Sequence, residues 1–329
     1  MSIIQVESIM REHALHARAP YEPDYEDGSA FCNGRYVPID QGAVPITDPG
    51  FLHADAAYDV VTVSRGNFFR LEDHLSRLEQ SCERFLLSNP YSRDQMREIL
   101  NNLVAKSGMK DAYVWWSVTR GTLARELKKR IDPGRYDNGM YAFVAPYFFQ
   151  APDDIRNRGF NILISKRYRR IPPKSVDPTA KNFHWMDMKL ALYEAGAAGK
   201  DWAVLVGTDG NLAEAPGANI FIVKNGELFT PAEGCLEGIT RRSVLELAAE
   251  LGVKANLTTV TPEELVTADE AFTCTSAGGI MPIGTVDDKQ IGSKAGAGPI
   301  TEQLHNMYWE KRWSGWHATP VDYSAAAKC

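Results

Sequence analysis

The sequence predicts an α+β protein with about two domains. The chain has 329 residues, more than one hydrophobic core usually organises. Its composition, 44% apolar and 24% charged, is ordinary for a soluble globular protein. Hairpin signals alternate with helical patterns in an irregular order, which favours two α+β domains over regular strand–helix–strand repeats.

The first domain is predicted from hairpin, strand and helix signals. A polar arm at 1–27 precedes a hairpin at 30–39, whose Asn-Gly pair tolerates the positive φ of a type I′ turn. The β-branched run 58–63 predicts a strand, and the apolar spacing over 69–87 predicts a helix. A serine capping box then opens a helix over 92–106.

The predicted strands 113–119 and 140–147 complete this domain. Between them, residues 121–139 are charged and rich in turn formers, which predicts a long loop that contacts substrate. The domain is therefore placed at 28–148, and a proline-containing linker follows at 149–154.

The second domain is placed at 155–329 and carries the same mixture of hairpins and helices. A Thr-Pro-Glu-Glu capping box opens one of its helices, at 261–264. Its other predicted elements are a strand at 161–165, a helix at about 184–197, strands at 202–206 and 219–223, a helix at 240–251, a strand at 271–275 and a helix at 299–312.

Charge and motifs argue against several function classes. The net charge of −6 gives no general attraction to nucleic acid or anionic lipid, so the basic clusters 128–130 and 166–170 indicate a solvated face or a local anion site. Five scattered cysteines without C-x-x-C spacing argue for a reducing compartment and against zinc. We find no membrane span, signal peptide, metal-binding histidine pair or nucleotide fingerprint. We therefore expect a cytoplasmic enzyme that uses no metal.

One lysine, Lys181, lies in the aromatic segment DPTAKNFHW, close to Trp185. Taken alone, such a lysine is more simply a surface residue with its ammonium in water. In a low-dielectric environment, however, a lysine amine loses proton affinity and becomes a nucleophile that can form a Schiff base.

A possible anion cradle occurs where LEGIT, at 236–240, leads into the predicted helix. Free N–H groups at a helix start, a glycine and a hydroxyl suit a phosphate, although for this feature alone an ordinary threonine N-cap is the simpler explanation. The segment TSAGG, at 275–279, either adds hydroxyls and amides to the same anion or forms a tight glycine turn.

Two charged residues complete the pattern. Arg77 interrupts the apolar stripe of its helix, so its guanidinium needs an anion, either a phosphate or a structural salt-bridge partner. Glu214 lies in a stretch of small residues that has no other charge. Its carboxylate is either a hydrogen-bonded turn residue or the partner of a buried cation such as a protonated pyridine. A reactive lysine, a phosphate cradle and a carboxylate for a ring nitrogen are together what pyridoxal 5′-phosphate requires.

These segments resemble the fold type IV pyridoxal-phosphate enzymes, which include branched-chain and D-amino-acid aminotransferases and aminodeoxychorismate lyase. The resemblance runs from about residue 30 to residue 320 in family order. It implies a small N-terminal α/β domain and a larger C-terminal, cofactor-binding domain with a β-barrel-like core. The segments are DHLSRL (73–78), EAPGAN (214–219), LEGITR (236–241) and TSAGG (275–279), with GFLHADAAYDVVTV (50–63) and DPTAKNFHW (177–185) more similar to (R)-selective amine:pyruvate transaminases.

The resemblance implies a role for each matching residue. Lys181 would be the Schiff-base lysine and then the base that moves the substrate proton, and Glu214 would keep the pyridine nitrogen protonated. The implied cofactor-binding residues are Arg77, Lys181, Glu214, Leu236, Ile239, Thr240, Thr275 and Ser276. The implied substrate-binding residues are His53, Tyr58, Val60, Tyr113, Arg130, Trp185, Thr275 and Ala277.

The acceptor's carboxylate would bind a loop arginine, and the sequence offers Arg125, Arg130 and Arg135, of which we take Arg130. The implied reaction is a ping-pong transamination that moves an amino group from a primary (R)-amine to a keto acid such as pyruvate. The alternative is a D-amino-acid or branched-chain aminotransferase of the same fold; a non-catalytic carrier of the cofactor is a rival from another class. The resemblance also implies a homodimer with active sites at the interface. In such a dimer the neighbouring subunit could contribute His53 and Tyr58 to each site.

Overall fold

The computed structural model describes residues 2–123, 131–293 and 296–324. Packing divides the chain into two compact units. The amino-terminal unit comprises the described residues of 10–148, 180–183 and 315–329, and the carboxy-terminal unit those of 1–9, 149–179 and 184–314. The domain boundaries predicted from the sequence, with a linker at 149–154, stay a prediction.

Helices and strands follow one another in an irregular order. The helices are Val6–His16 (α1), Pro49–His53 (α2), Leu71–Arg84 (α3), Arg93–Ser107 (α4), Asp153–Arg158 (α5), Met186–Ala197 (α6), Ile239–Glu250 (α7), Pro262–Val266 (α8) and Pro299–Trp313 (α9). The strands are Ser29–Cys32 (β1), Arg35–Pro38 (β2), Ala56–Ser64 (β3), Asn67–Phe69 (β4), Ala112–Leu123 (β5), Tyr136–Pro146 (β6), Phe160–Ile164 (β7), Trp202–Val206 (β8), Leu212–Glu214 (β9), Asn219–Lys224 (β10), Glu227–Pro231 (β11), Ala255–Thr258 (β12), Glu270–Thr275 (β13), Gly279–Val286 (β14), Lys289–Gln290 (β15) and Ala318–Pro320 (β16).

The amino-terminal unit is built on an antiparallel sheet of seven strands in the order β16-β4-β3-β5-β6-β1-β2. Leu75 and Leu78 of α3 and Leu100 of α4 share one buried core with Trp116 of β5. Residues 180–183 return to this unit, where Asn182 forms a bridge to Ala57 at the start of β3. This return brings residues 180–183, including Lys181, to the edge of the sheet.

The carboxy-terminal unit contains a nine-stranded mixed sheet. Its strand order is β12-β11-β10-β13-β14-β7-β8-β9, with β15 paired to β14. The pairs β11–β12, β14–β7 and β7–β8 are parallel, and the other pairs are antiparallel. Phe221 and Phe272 stack across β10 and β13 with ring centroids 5.0 Å apart, and both are fully buried. In this unit α7 packs against β13, and α9 packs against β14.

The predicted α+β class is confirmed, as are several local signals. Asn33 and Gly34 both have positive φ in the β1–β2 hairpin, as a type I′ turn requires. The predicted capping boxes open α4, through Ser92, and α8, through Thr261. Over residues 2–123, 131–293 and 296–324, no helix is long and apolar enough to cross a membrane.

Two predictions about the first 140 residues were wrong in part. The stretch read as a polar arm contains α1, whose Glu7 and Ser8 amides bind the Asp153 carboxylate. The loop predicted at 121–139 is shorter, because β5 continues to Leu123 and β6 begins at Tyr136, directly opposite it. Polar hairpin ends resemble a loop in sequence while their backbone hydrogen bonds continue.

Candidate active site

Lys181 is fixed by its backbone on both sides. Its carbonyl accepts a hydrogen bond from the Tyr58 amide at 3.0 Å, and its own amide donates to Ser81 Oγ at 3.0 Å. The side chain is half-buried, and Nζ lies 4.5 Å from the centroid of the Tyr58 ring. The sheet edge and α3 therefore fix the backbone of Lys181, and its amine lies against an aromatic ring.

An aromatic face extends from Lys181 across three strands. Trp115 stacks between Tyr58 and Phe143, with centroid distances of 5.8 and 5.4 Å. Phe183 packs on both Tyr58 and Trp115, at 5.5 and 5.8 Å. The predicted substrate residue Val60 is the cross-strand partner of Trp115, which places both on the same side of the sheet.

Tyr58, Val60 and Tyr113 of this face were predicted from the sequence as substrate residues, whereas Trp115 and Phe143 were not. The signal was available for Trp115, because it follows Tyr113 by two residues in a strand and so points to the same side. Tyr58 lies beside Lys181 of its own chain, so the suggestion that a neighbouring subunit supplies it is wrong.

The other side of β3 carries a buried ion pair. Arg77 Nε and Nη2 donate to the two carboxylate oxygens of Asp59 at 2.8 and 2.7 Å, and His74 Nδ1 lies 2.7 Å from Asp59 Oδ1. Burial alone would raise the pKa of Asp59, but the charge of Arg77 and the bond to His74 hold that pKa well below its usual range. Burial lowers the pKa of His74, so at neutral pH Arg77 is the cation that balances Asp59.

This ion pair provides a stability prediction. Replacing Asp59 with alanine leaves the Arg77 guanidinium buried without its carboxylate, which we expect to lower the free energy of unfolding by about 3–5 kcal/mol. Asp94→Ala, which breaks the exposed pair with Arg97, is the control and should cost about 1 kcal/mol or less. Denaturant unfolding measures both; equal losses would contradict the importance of the buried pair.

Glu214 is a buried carboxylate whose oxygens have two different donors. Arg170 Nε donates to Oε1 at 2.8 Å, and the Leu236 amide donates to Oε2 at 3.1 Å. Arg170 also donates through Nη1 to Asp187 Oδ2 at 2.7 Å, so one guanidinium joins two acids. These bonds stabilise the ionised form of Glu214, which is only 3% exposed.

Arg170 was not predicted as a site residue, because the basic cluster 166–170 indicated a solvated face or a local anion site. The structure places Arg170 inside, 6% exposed, bound to carboxylates of its own chain. Trp185 lies in the same unit, and a Cβ added to Gly217 would lie 2.9 Å from its ring. Glycine in EAPGAN therefore lets this indole pack closely on the turn that follows Glu214.

The predicted cradle begins at a glycine cap. Gly238 is the N-cap of α7, so the alternative of a threonine N-cap is wrong, and Ile239 and Thr240 form the first turn. A Cβ on Gly238 would lie 2.1 Å from Asn219 Oδ1, while Asn219 Nδ2 holds the Leu236 carbonyl at 2.7 Å. Amides at a helix start attract anions, so this geometry fits a phosphate.

The TSAGG segment forms the turn between β13 and β14. Thr275 ends β13 directly opposite Gly279, the first residue of β14. Thr275 and Ser276 are half-buried, and Ala277 is buried. The carboxy-terminal unit therefore contains Glu214, the α7 start, this turn and Trp185, whereas the amino-terminal unit contains Lys181, Arg77 and the aromatic face.

The remaining predicted residues are less informative. His53 ends α2 and is exposed in the single chain. Arg135 binds Asp132 with its Nε 3.3 Å from a carboxylate oxygen. Arg125 and Arg130 lie outside the described residues.

Known proteins are similar to this chain over most of their length. A putative branched-chain-amino-acid aminotransferase from Methanocaldococcus jannaschii is 30% identical over 284 residues, 86% of this chain and 96% of the relative. A D-alanine aminotransferase from Bacillus licheniformis is 28% identical over 278 residues, 83% and 93% of the two chains. The solved branched-chain aminotransferase from Thermobaculum terrenum in PLP form has a TM-score of 0.79 at 28% identity, covering 90% and 99%.

The family comparison gives the same result. A match to the family described as Amino-transferase class IV covers residues 56–286, more than half of the chain. The family, the enzyme class and the fold type predicted from the sequence are thereby confirmed. The chain belongs to the class IV aminotransferases.

Proposed function

We propose that this aminotransferase moves an amino group from a primary (R)-amine to a keto acid such as pyruvate. The observation that carries the proposal is the face beside Lys181, where Tyr58, Trp115, Phe143 and Phe183 present aromatic surface. Such a face suits an aryl or alkyl substituent better than a charged one. The similarity to (R)-amine transaminases in residues 50–63 and 177–185 supports the same choice.

A second function is supported by the relatives. The chain is similar to branched-chain and D-alanine aminotransferases, whose substrates are amino acids. A D-amino-acid or branched-chain amino-acid aminotransferase therefore fits the comparisons at least as well. Both functions use the same chemistry and differ in whether the donor carries a carboxylate.

The cofactor is pyridoxal 5′-phosphate, and the residues present fit it. Lys181 offers an amine held against an aromatic ring, Glu214 a buried carboxylate, and the start of α7 a row of amides. When bound, the cofactor supplies an electron-poor ring that accepts the electrons of the substrate C–H bond.

We assign roles at the centre of the site from this chemistry. Lys181 holds the cofactor, and its Nζ then accepts and returns the proton of the substrate carbon. Glu214 keeps the ring nitrogen protonated, because Arg170 and the Leu236 amide stabilise its negative charge. Leu236, Ile239, Thr240, Thr275, Ser276 and Arg77 bind the rest of the cofactor, and the proposed phosphate ligands among them are Ile239, Thr240, Ser276 and Arg77.

The proposed substrate residues are those named from the sequence. Val60, Tyr113 and Tyr58 belong to the described aromatic face, and Trp185, Thr275 and Ala277 to the carboxy-terminal unit. Burial raises the pKa of Tyr113, so its hydroxyl stays protonated at neutral pH. For the acceptor's carboxylate we propose Arg130, with Arg125 and Arg135 as alternatives.

We also propose that the protein is a homodimer and that it is cytoplasmic. In the dimer, His53 of each subunit would contact the substrate in the active site of the other subunit. The segment around α2 exposes several large apolar side chains next to His53, a pattern typical of a protein interface. These are Val44, Ile46, Phe51 and Leu52, with exposed fractions of 42%, 77%, 68% and 54%. Sedimentation of the holoenzyme tests the dimer, and a monomer at micromolar concentration would contradict it.

A substrate panel separates the two functions. Steady-state rates are measured with (R)-1-phenylethylamine, (S)-1-phenylethylamine, D-alanine and leucine, each with pyruvate or 2-oxoglutarate. We expect kcat/KM for the (R)-amine with pyruvate to exceed that for the (S)-amine by about a hundredfold or more. Leucine with 2-oxoglutarate, or D-alanine, as the preferred donor would overturn the (R)-amine proposal in favour of the second function. Transfer from none of these donors would favour a non-catalytic cofactor carrier.

A further inference from the structure

The turn that contains Ser276 rests on a buried arginine that no role above includes. Arg156 of α5 is 0% exposed. It donates through Nη2 to the Gly278 carbonyl at 2.8 Å and through Nη1 to the Ile280 carbonyl at 3.1 Å. The two carbonyls flank Gly279, so one guanidinium fixes the peptide groups where the turn enters β14.

Residues of α9 hold the same backbone from another direction. Gly279 has φ +66°, and a Cβ there would lie 3.0 Å from the ring of Trp309. The Arg156 guanidinium carbon lies 5.8 Å from the centroid of that ring. His305 Nδ1 lies 2.9 Å from the Ile280 carbonyl oxygen, and Nε2 lies 3.2 Å from the Ile4 carbonyl oxygen. Burial lowers the pKa of His305 to about 4, so the ring is neutral at pH 7 and its single N–H donates to one of these two carbonyls.

Burying a guanidinium carries a large desolvation penalty, because its charge must leave water. An apolar side chain of similar length would pack against Trp309 without that cost. What the guanidinium adds is direction, because its planar fork fixes two acceptors at once. In a planar trans peptide the N–H points away from the carbonyl, so the bond to the Gly278 carbonyl also fixes the direction of the Gly279 amide in the turn.

We propose that Arg156 is a positioning residue for phosphate binding, which orients the 276–279 turn so that Ser276 and the neighbouring amides meet the cofactor's phosphate. Arg156 acts through the turn and does not touch the cofactor. The inference rests on the proposed function, because the assignment of Ser276 as a phosphate ligand belongs to it.

The test compares two ligands that differ only in the phosphate. Dissociation constants for pyridoxal 5′-phosphate and for pyridoxal are measured on the wild-type, Arg156→Met and Arg156→Lys proteins after removal of the cofactor. We expect Arg156→Met to weaken pyridoxal 5′-phosphate binding by about tenfold and pyridoxal binding by less than about twofold. Arg156→Lys, which keeps the charge but loses the fork, should lie between wild type and Arg156→Met.

Arg158→Met is the matched control, because Arg158 lies on the same helix, 47% exposed and paired with Asp201. It should leave both constants unchanged. In the Arg156→Met background, Ser276→Ala should lose most of its effect on pyridoxal 5′-phosphate binding, because the turn no longer presents the hydroxyl.

Equal weakening of both ligands would show a purely structural role and overturn the inference, as would no weakening. If Arg156→Met does not fold, the same comparison on Arg156→Lys decides. The wild-type protein is measured first. If it binds neither ligand, the proposed function is rejected, whatever the variants do.

Discussion

Replacing Lys181 with alanine is expected to reduce transamination by about ten-thousand-fold or more, because both the covalent hold on the cofactor and the proton transfer are lost. The backbone bonds of Lys181 to Tyr58 and Ser81 do not involve its side chain, so the fold should survive. Rates with the preferred donor, and mass spectrometry after borohydride reduction, measure the two losses separately. The cofactor's mass should remain on the wild-type chain and be absent from Lys181→Ala.

The matched control for Lys181→Ala is Lys189→Ala, an exposed lysine of α6. It should keep both the rate and the borohydride-stable mass. Substantial residual turnover in Lys181→Ala, or cofactor fixed on another lysine, would reject the assignment of the reactive amine.

Glu214→Gln is expected to lower kcat by about a hundredfold to a thousandfold while cofactor affinity changes by less than about tenfold. The amide no longer carries the charge that keeps the ring nitrogen protonated, although its oxygen can still accept one of the bonds from Arg170 and the Leu236 amide. Single-turnover rates and cofactor titrations measure the two quantities.

Two further variants make the Glu214 result specific. Glu233→Gln removes an exposed carboxylate in the same region and should leave kcat unchanged. Arg170→Met should resemble Glu214→Gln in kcat, because Glu214 would lose the cation that stabilises its ionised form. Full activity of the Glu214→Gln protein would contradict the assignment of Glu214 to the ring nitrogen.

The sequence predicts those parts of the site that depend on short motifs, but not those that depend on contacts between residues far apart in the chain. The start of α7 and the TSAGG turn follow from short motifs and lie close to where the motifs predict them, although the cap of α7 is Gly238 and not Thr240. The contact between Lys181 and Tyr58 joins residues more than a hundred positions apart, and no local pattern contains it. Arg170 has the same limitation, because a basic cluster does not show which of its members turns inward to an acid.

Arg77 shows why charge patterns leave two interpretations open. The sequence places a guanidinium near the core, where either a phosphate or an acid would satisfy it. The structure shows Asp59 in that position, and the phosphate role stays a proposal. The extension of β5 and β6 was missed for a related reason, because pairs such as Leu123 and Tyr136 depend on the partner strand and not on local polarity.

We propose that Lys181 and its aromatic face make this chain an (R)-selective amine transaminase. The most direct test is the absorbance of the cofactor-loaded protein after single additions of (R)- and then (S)-1-phenylethylamine, followed by pyruvate. We predict that the (R)-amine bleaches the bound cofactor, that pyruvate restores its absorbance, and that the (S)-amine leaves it unchanged over the same time. Bleaching by the (S)-amine alone, or by neither enantiomer while leucine or D-alanine bleaches it, would contradict the claim.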